Sequence, residues 1–256
     1  KDFGWSSTLN FNYNKNEIKK LGENDEDILT GPWFISGNLV ILRKGESLGS
    51  FWGYKREGIW GEDEAEEAKA AGAGVGQPKR SKDREILGKG FPDVTGSFIN
   101  NFRYKNFDLT VDLQFVLGVD VYQQFLHSTE DRFGIANALS SVLSEGWTPA
   151  NTNTMIPALY SQNSQPDSHW VANGSYLRAN LIQLGYTFEP SVLKALHLGS
   201  LRAYFSVNNA FCITSKDFKG YDPEGTSQGT DQWGQNIMFF QYPKPRTYTL
   251  GVNVSF

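Results

Sequence analysis

Two pairs of acidic residues lie at spacings that could support chemistry. Asp108 and Asp112 fall in a segment that alternates apolar and polar residues, so both belong to the polar face of a strand, where paired carboxylates can serve as general acid and base. We interpret them instead as hydrated charges on that face. Asp222 and Glu224 flank Pro223, and two carboxylates without further oxygen ligands nearby make a weak site for a hard cation. A turn explains this second pair.

The glycines and the nucleophilic side chains give no stronger signal. Lys79 follows a glycine-rich stretch that could cradle a phosphate, but Gln77 and Pro78 stand where nucleotide-binding motifs need other residues. The stretch therefore predicts a flexible loop. Cys212 is the single cysteine, which excludes an internal disulfide, and the histidines are far apart and accompany no nucleophile at a recognisable spacing. We predict that the chain is not an enzyme and carries no catalytic residue, cofactor or metal site.

The composition narrows the class of protein. Of 256 residues, 39% are apolar, 20% are charged and 14% are aromatic, which is typical of an ordered chain and not of a disordered or collagen-like one. The net charge of -4 leaves no basic surface for phosphates, so we expect no nucleic-acid partner. No run reaches the roughly 18 consecutive apolar residues of a membrane-spanning helix. Membrane-spanning strands escape that test, because their apolar and polar residues alternate.

Strands must position these side chains, because the clearest periodicity in the sequence is two. Between Thr247 and Phe256 every second residue is apolar, and the residues between them are small or polar. The same separation of faces occurs in Phe107–Gly118, Phe3–Tyr13 and Leu201–Asn208. Weaker patterns predict further strands, for a total of roughly nine or ten. They cover Leu39–Glu46, Gly49–Ile59, Gly96–Lys105, Val119–Phe125 and Tyr176–Phe188.

Two segments have helical character instead. Glu62–Gly72 is rich in helix-forming residues and ends in glycine, which predicts a short exposed helix. Ile135–Leu143 has apolar residues at helical spacing, and its pattern is equally compatible with a helix and with a loop.

The connections between the strands alternate in length. Lys105–Asn106 is a tight turn and Glu189–Ser200 is modest, whereas Thr129–Trp170 and Cys212–Pro245 are long. Short turns and long loops at opposite ends are typical of a transmembrane β-barrel. The polar strand faces are also built mostly from Asn, Ser, Thr, Gln and Gly, which suits a water-filled lumen. We therefore predict an all-β fold, an antiparallel transmembrane β-barrel, and keep a soluble all-β binding module as the alternative. In a barrel, Asp108 and Asp112 would be charges of the lumen wall.

Several longer stretches occur in a fixed order along the chain. They are GSFWGYKREGIWG with a following EEA (49–68), DREILGKGFPDVTGSFINNFRYKNFDLTV (83–111), WTPANTNT (147–154) with Ile156-Pro157, WVANGSYLRANLIQLGYTF (170–188), LRAYFSVNNAF (201–211), KGYDPE (219–224) and YPKPRTYTLGVNVSF (242–256). This ordered set resembles the C-terminal barrel region of the SusC/RagA family of TonB-dependent outer-membrane transporters from Bacteroidota. The chain departs from the family at Gly72–Lys82, which replaces an acidic glycine-containing loop and removes any calcium site that the resemblance would imply.

The resemblance implies that residues 1–256 form the C-terminal part, roughly the last ten strands, of a barrel of the 22-stranded class. A plug domain and a segment that contacts TonB would lie outside these residues. The implied location is the outer membrane, with several passes through the lipid and the C-terminus on the periplasmic side. The implied function is import of oligosaccharides or peptides with energy from the TonB complex, and a SusD-like surface lipoprotein would act as a lid. A scaffold barrel of a secretion or surface assembly is the alternative.

Aromatic residues in the long predicted loops are candidate contacts for such a substrate, since ligand sites combine ring surfaces with a few polar groups. Packing of the loops against one another is the alternative role for each ring. The candidates are Trp147, Trp170, Tyr221 and Trp233.

Overall fold

The computed structural model describes residues 2–31, 38–132, 134, 136–162, 165–224 and 234–256. Within these ranges lie thirteen strands and three α-helices. The strands are β1 (Phe3–Tyr13), β2 (Ile28–Thr30), β3 (Val40–Leu42), β4 (Ser50–Ile59), β5 (Pro78–Lys89), β6 (Val94–Tyr104), β7 (Phe107–Leu117), β8 (Asp120–Gln123), β9 (Val171–Asn173), β10 (Tyr176–Thr187), β11 (Ser200–Thr214), β12 (Ile237–Met238) and β13 (Thr247–Ser255). The helices are α1 (Ala65–Ala70), α2 (Ser140–Glu145) and α3 (Pro190–Leu196).

Six long strands form one antiparallel sheet in the order β1-β6-β7-β10-β11-β13. Their registers align the alternating residues of neighbouring strands, so that whole rows across the sheet share one character. One row is entirely apolar: Trp5, Phe102, Leu109, Leu184, Phe205 and Leu250. The adjacent row, on the opposite face, is entirely polar: Ser6, Asn101, Thr110, Gln183, Ser206 and Thr249. The period-two prediction is confirmed for these strands.

The apolar face of this sheet carries large side chains in an exposed position. Phe3, Trp5, Leu9 and Phe11 of β1 are each between 60% and 64% exposed, and Leu250 of β13 is 80% exposed. An exposed apolar surface of this extent marks a membrane or protein interface. The sheet is therefore amphipathic, with one face suited to an apolar environment and one suited to water.

The two ends of the sheet differ in the length of their connections. The Lys105 turn, the connection that contains α3 and the final residue of β13 lie at one end, because β6, β10 and β13 all finish there. The connections 14–93, 118–175 and 215–246 all leave from the other end. The predicted alternation of short and long connections is therefore present. Among the described residues no helix has the length and hydropathy needed to span a bilayer.

The three long connections fold together into one body, which we call the loop cap. It contains the antiparallel sheet β2-β3-β4-β5 and the three-stranded sheet β12-β8-β9, in which β12 and β8 are parallel. Its hydrophobic core draws side chains from all three connections, so none of them is an independent loop. The core residues are Leu39, Val40, Leu42 and Phe51 from the first, Val121, Tyr122, Phe125, Leu126, Trp170 and Ala172 from the second, and Ile237 and Met238 from the third.

The cap also contains the main departures from the sequence-based predictions. Pro78–Lys89 forms β5, so the glycine-rich stretch that was predicted to be a flexible loop gives way to a strand one residue before Lys79. Pairing with β4 holds this strand, and Gly76 is packed against Ala158 and Trp147. The period-two pattern could not predict this strand, because β5 consists mostly of charged residues and has no apolar face. Six strands lie in the long sheet and the others lie in the cap, so the expectation of about ten barrel strands is not confirmed.

Both segments with predicted helical character contain a helix. The predicted helix Glu62–Gly72 is confirmed as a 3-10 turn, Glu62–Glu64, followed by α1. It stops where Gly72 adopts a φ of +73°, a conformation that glycine takes at little cost. In Ile135–Leu143 the residues from Ser140 onward are helical, since α2 begins there, and Ile135 lies outside the described residues.

Candidate functional site

A buried cluster of charges joins the first and second long connections of the loop cap. Arg56 of β4 is 4% exposed and directs its guanidinium at Asp131 and Asp167. Its Nε donates to Asp167 Oδ2 at 2.9 Å, and Nη1 donates to Asp131 Oδ1 at 3.2 Å and to the Met155 carbonyl at 2.8 Å. Nη2 donates to both carboxylates. Charge-assisted, forked contacts of this kind suit arginine better than any other side chain.

Neighbouring groups complete this Arg56 cluster. Arg80 of β5 donates to Asp167 Oδ2 at 3.0 Å, and the Trp170 indole donates to Asp131 Oδ2 at 3.0 Å. Burial alone would lower the pKa of Arg56, but its two carboxylate partners outweigh that effect and raise the pKa above the ordinary value. In these contacts two guanidinium groups face two carboxylates. It fastens β4 and β5 to the second connection.

Glu130, the residue before Asp131, forms a second buried centre. The π-helical turn His127–Asp131 presents these two adjacent carboxylates to different partners. Glu130 Oε1 accepts hydrogen bonds from Lys219 Nζ at 2.7 Å and Ser141 Oγ at 3.0 Å, and Oε2 lies 2.8 Å from His169 Nε2. Burial opposes ionisation of Glu130, yet the contacts with His169 and Lys219 prevail and lower its pKa to about 2.

The carboxylates of Glu130 and Asp131 and the imidazole of His169 also bring potential metal-binding atoms within 4.8 Å of one another. The side-chain cations of Lys219 and Arg56 already contact those carboxylates. A metal ion would have to displace them. The arrangement is therefore a set of ion pairs that holds the cap together.

Two cavities of opposite character meet at Lys219. A polar cleft of about 450 Å³ is lined by Ser144, Glu145, Asn151, Asn153, Thr154, Met155, Ile156, His169 and Lys219. A smaller and more apolar pocket of about 160 Å³ is also lined by Lys219. Its rings and aliphatic groups come from the second and third connections. These are Phe125, Leu139, Tyr221, Met238, Phe239 and Phe240. The loop cap thus offers a composite site with a polar and an apolar part.

A third ion pair ties the loop cap to the polar face of the long sheet. Arg178 of β10 contacts Asp222 through two hydrogen bonds, at 2.7 and 3.0 Å, and both side chains are buried. Asn209 supports the guanidinium with its Oδ1 at 2.8 Å, and its backbone has a φ of +53° at an irregularity of β11. Asp222 also accepts the backbone N–H of Glu224. The turn expected at this position is present, and it serves an ion pair as well.

The predicted lumen-wall charges lie on the polar face of the long sheet. Asp108 of β7 contacts Arg202 of β11, with Oδ2 2.5 Å from Nη2 and Oδ1 3.1 Å from Nε. The pair reaches across β10 at Gly185, where a Cβ would lie 2.5 Å from Asp108 Oδ1. Asp112 lies on the same face with its Oδ1 buried, and that atom has no hydrogen-bond partner in the described part of the chain. The two acids therefore differ: Asp108 forms an ion pair across the sheet, whereas Asp112 keeps one oxygen without a hydrogen bond in the described part of the chain.

The aromatic residues predicted to contact a substrate differ in their exposure. Trp170 is fully buried in the core of the loop cap, and Trp147 is 5% exposed and packs with Ile59 and Ala158. Packing of the loops, the alternative role, describes both rings, and neither is presented to a ligand. Tyr221 is 79% exposed at the rim of the apolar pocket. Trp233 lies outside the described residues.

Sequence reasoning missed the residues that organise the site, namely Arg56, Glu130, His169, Lys219 and Arg178. Their signal was present only indirectly. Arg56, Arg178 and Lys219 lie within the ordered stretches GSFWGYKREGIWG, WVANGSYLRANLIQLGYTF and KGYDPE. Those stretches therefore contain the charges that hold the cap together and tie it to the sheet, as well as strand residues.

The comparisons with known proteins agree with this architecture. No family model matches the chain. Over its full length, the chain is 32% identical to TonB-dependent receptor P3 of Formosa agariphila and 30% identical to TonB-dependent receptor SusC of Bacteroides thetaiotaomicron. It covers 27% and 25% of those proteins, so it spans about a quarter of their length. These relatives are receptors and not enzymes.

The solved structure of the RagAB peptide transporter shares the fold. The TM-score is 0.76 at 24% identity, over 100% of this chain and 28% of that chain. Together with the curated relatives, this fold confirms the resemblance to the SusC/RagA type.

Proposed function

We propose that this chain, a stretch of a SusC/RagA-type TonB-dependent receptor, forms part of the wall and the outer loops of an outer-membrane nutrient importer. The substrate is an oligosaccharide or a peptide. The TonB complex supplies the energy through a plug region outside residues 1–256, and a SusD-like surface lipoprotein covers the barrel from outside. The observation that carries the proposal is the union of an amphipathic sheet with a folded, cavity-bearing cap at one of its ends.

The apolar face of the sheet supports a membrane location. Burying a large apolar side chain is worth about 1.5 to 3 kcal/mol relative to leaving it in water. Each of the six strands contributes apolar side chains to this face. A soluble binding module would have to expose all of them. The lipid of the outer membrane would cover them, and closure with further strands would satisfy the two sheet edges.

The direction of the chain follows from the two ends of the sheet. In outer-membrane barrels short turns face the periplasm and long loops face the outside. We therefore place the loop cap outside the cell, and the Lys105 turn, α3 and the C-terminus at the periplasmic side. Asp108, Asp112 and Arg202 then face the lumen. Tyr221 and Trp233 remain our candidate contacts for the substrate in the outer segment.

Deletion of the gene that encodes the receptor tests this proposal. The deletion strain, a strain lacking TonB and the parent would be supplied with defined oligosaccharides and with a peptide digest, and consumption of each would be followed. We expect both strains to lose uptake of the same substrate. Unchanged consumption in the deletion strain, combined with loss of another protein from the cell surface, would replace the importer with the scaffold alternative.

A narrower test concerns Tyr221. Replacing it with alanine should weaken uptake without lowering the amount of barrel in the outer membrane, because its ring is exposed and its loss leaves no cavity in the core. Trp147→Phe serves as the control, since that ring packs inside the cap. Uptake that stays at the parental rate in Tyr221→Ala would remove this ring from the candidate contacts.

A further inference from the structure

The apolar pocket beside Lys219 has the size of a single ring. Its volume is about 160 Å³, and an apolar cavity of about 150 Å³ is known to accommodate benzene. Four of its six ring and aliphatic side chains are aromatic: Phe125, Tyr221, Phe239 and Phe240. Phe239 and Phe240 lie 4.4 Å apart between ring centroids. Such a pocket fits one aromatic or branched aliphatic group.

The pocket offers a sugar few polar side chains. A pyranose would bring several hydroxyls, each of which needs a hydrogen-bond partner once it leaves water. Thr129 Oγ1 already donates to the Phe125 carbonyl at 3.0 Å, and Lys219 Nζ is held by Glu130. An apolar side chain makes no such demand.

One acceptor in the pocket lining is unused. The Nε2 of Gln241 donates to the Glu224 carbonyl at 3.1 Å, which fixes the orientation of the amide. Its Oε1 is buried and has no hydrogen-bond partner among the described residues. A buried acceptor in this state calls for a donor. Each residue of a peptide has one backbone N–H donor beside one side chain. The pocket has one unused acceptor and room for one side chain, so the two match.

The polar cleft, which Lys219 also lines, provides room for the rest of such a ligand. Its volume is about 450 Å³, and its lining includes Asn153, Thr154 and His169. Polar side chains can hydrogen-bond a peptide main chain, whose N–H and C=O groups recur at every residue.

We propose that the apolar pocket is a subsite for one apolar side chain of a peptide substrate. The adjoining peptide N–H donates to Gln241 Oε1, and the peptide continues past Lys219 into the polar cleft. This inference rests on the proposed function and narrows its substrate from two classes to one. It also assigns Tyr221 a definite role at the rim of the pocket.

Peptide binding to the full-length receptor in detergent tests the subsite. The probes are fluorescently labelled Ala-Ala-Phe-Ala and Ala-Ala-Ala-Ala, with fluorescence polarisation as the readout. Burial of the phenyl ring should make the first peptide bind about tenfold tighter or better. Maltohexaose, as an unlabelled competitor, should displace neither peptide.

Matched variants locate the effect. Phe240→Ala and Tyr221→Ala should reduce the preference for phenylalanine to less than about threefold, because each removes a wall of the pocket. Both side chains are largely exposed, so folding is not at stake. Tyr242→Ala is the control, since Tyr242 is 93% exposed on the same connection and does not line the pocket. Gln241→Met should weaken both peptides alike by removing the acceptor.

Three results would overturn the subsite: no binding of either peptide, equal binding of both by the native receptor, or a preference that survives Phe240→Ala. Displacement by maltohexaose would point to a sugar site instead. If TonB-dependent uptake persists in any of these cases, the subsite is wrong and the importer stands. Loss of lid association in Phe240→Ala with an unchanged peptide preference would assign the pocket to the partner and not to the substrate.

Discussion

Arg56 is the residue whose loss should disturb the loop cap most. Replacement by methionine keeps the aliphatic volume and removes the guanidinium that contacts both Asp131 and Asp167, whereas Arg80 still contacts Asp167. Breaking a buried charge pair by removing one partner costs about 3 to 5 kcal/mol. The carbonyl of Met155 loses a donor as well. We expect the cap to open locally more often while the long sheet stays intact.

Hydrogen exchange followed by mass spectrometry on the full-length receptor measures that opening. A loss of about 3 to 5 kcal/mol lowers the protection of the affected amides by a factor of roughly 10² to 5 × 10³. The change should appear in β4, β5 and the turn His127–Asp131, and not in β1 or β13. Local opening is expected because the cluster joins cap segments only.

Arg43→Met is the matched control. Arg43 also binds an aspartate, Asp27, through a forked contact, but both side chains are more than a third exposed. Exposed pairs of this kind contribute less than about 1 kcal/mol. Equal loss of protection in Arg56→Met and Arg43→Met, or no loss in either, would refute the view that burial makes the Arg56 cluster the fastening of the cap.

Three further perturbations test other parts of the structure. Glu130→Gln should remove up to about 3 kcal/mol of cap stability at neutral pH. The pKa of Glu130 is depressed, so the native contribution is present above pH 4.5 and disappears as the pH falls toward 2; thermal melts across that window should converge for the two proteins. Gly185→Ala should split the Asp108 ion pair and destabilise the sheet by about 1 to 3 kcal/mol in denaturant titrations, whereas Gly4→Ala, with its nearest neighbour atom at 3.8 Å, should be neutral. Trp5→Phe should cost about 1 kcal/mol in the same titration, because the Trp5 indole donates at 3.2 Å to Asn100, a polar residue buried on the apolar face; an unchanged midpoint would show that lipid or water replaces this bond.

The long strands could be predicted from sequence because one face of the sheet takes apolar residues and the other takes polar ones, so the two kinds alternate along each strand. A strand such as β13 has an apolar face and a polar face, so its pattern is readable without knowing its partners. β5 shows the opposite case. Its residues are mostly charged, and it is a strand because β4 pairs with it across the first connection. Local sequence carries no trace of that pairing.

The buried charges of the cap were unpredictable for a related reason. Arginine and aspartate are surface residues by default, and Arg56 becomes a core residue only when Asp131 and Asp167, 75 and 111 positions away, arrive beside it. The same dependence separates the aromatic candidates. Trp170 and Tyr221 both lie in or at the end of long predicted loops, but the first fills the core formed by three distant segments and the second borders a pocket. The outcome is fixed by contacts between connections and not by either residue.

The third connection shows how those contacts could serve binding. Lys219 is paired with Glu130 in the loop cap, and Asp222 is paired with Arg178 on the sheet, so the chain is anchored two residues before Tyr221 and one residue after it. A ring held between two anchors loses little conformational freedom when a ligand arrives, and less lost freedom means tighter binding. Asp222 does not line the pocket, but Asp222→Asn should reduce the contribution of Tyr221 to peptide affinity. Tyr221→Ala should lower the affinity in the native background, and it should lower the affinity less in the Asp222→Asn background. If Tyr221→Ala has the same effect in both backgrounds, the ring acts by its surface alone and the anchors serve only to hold the cap on the sheet.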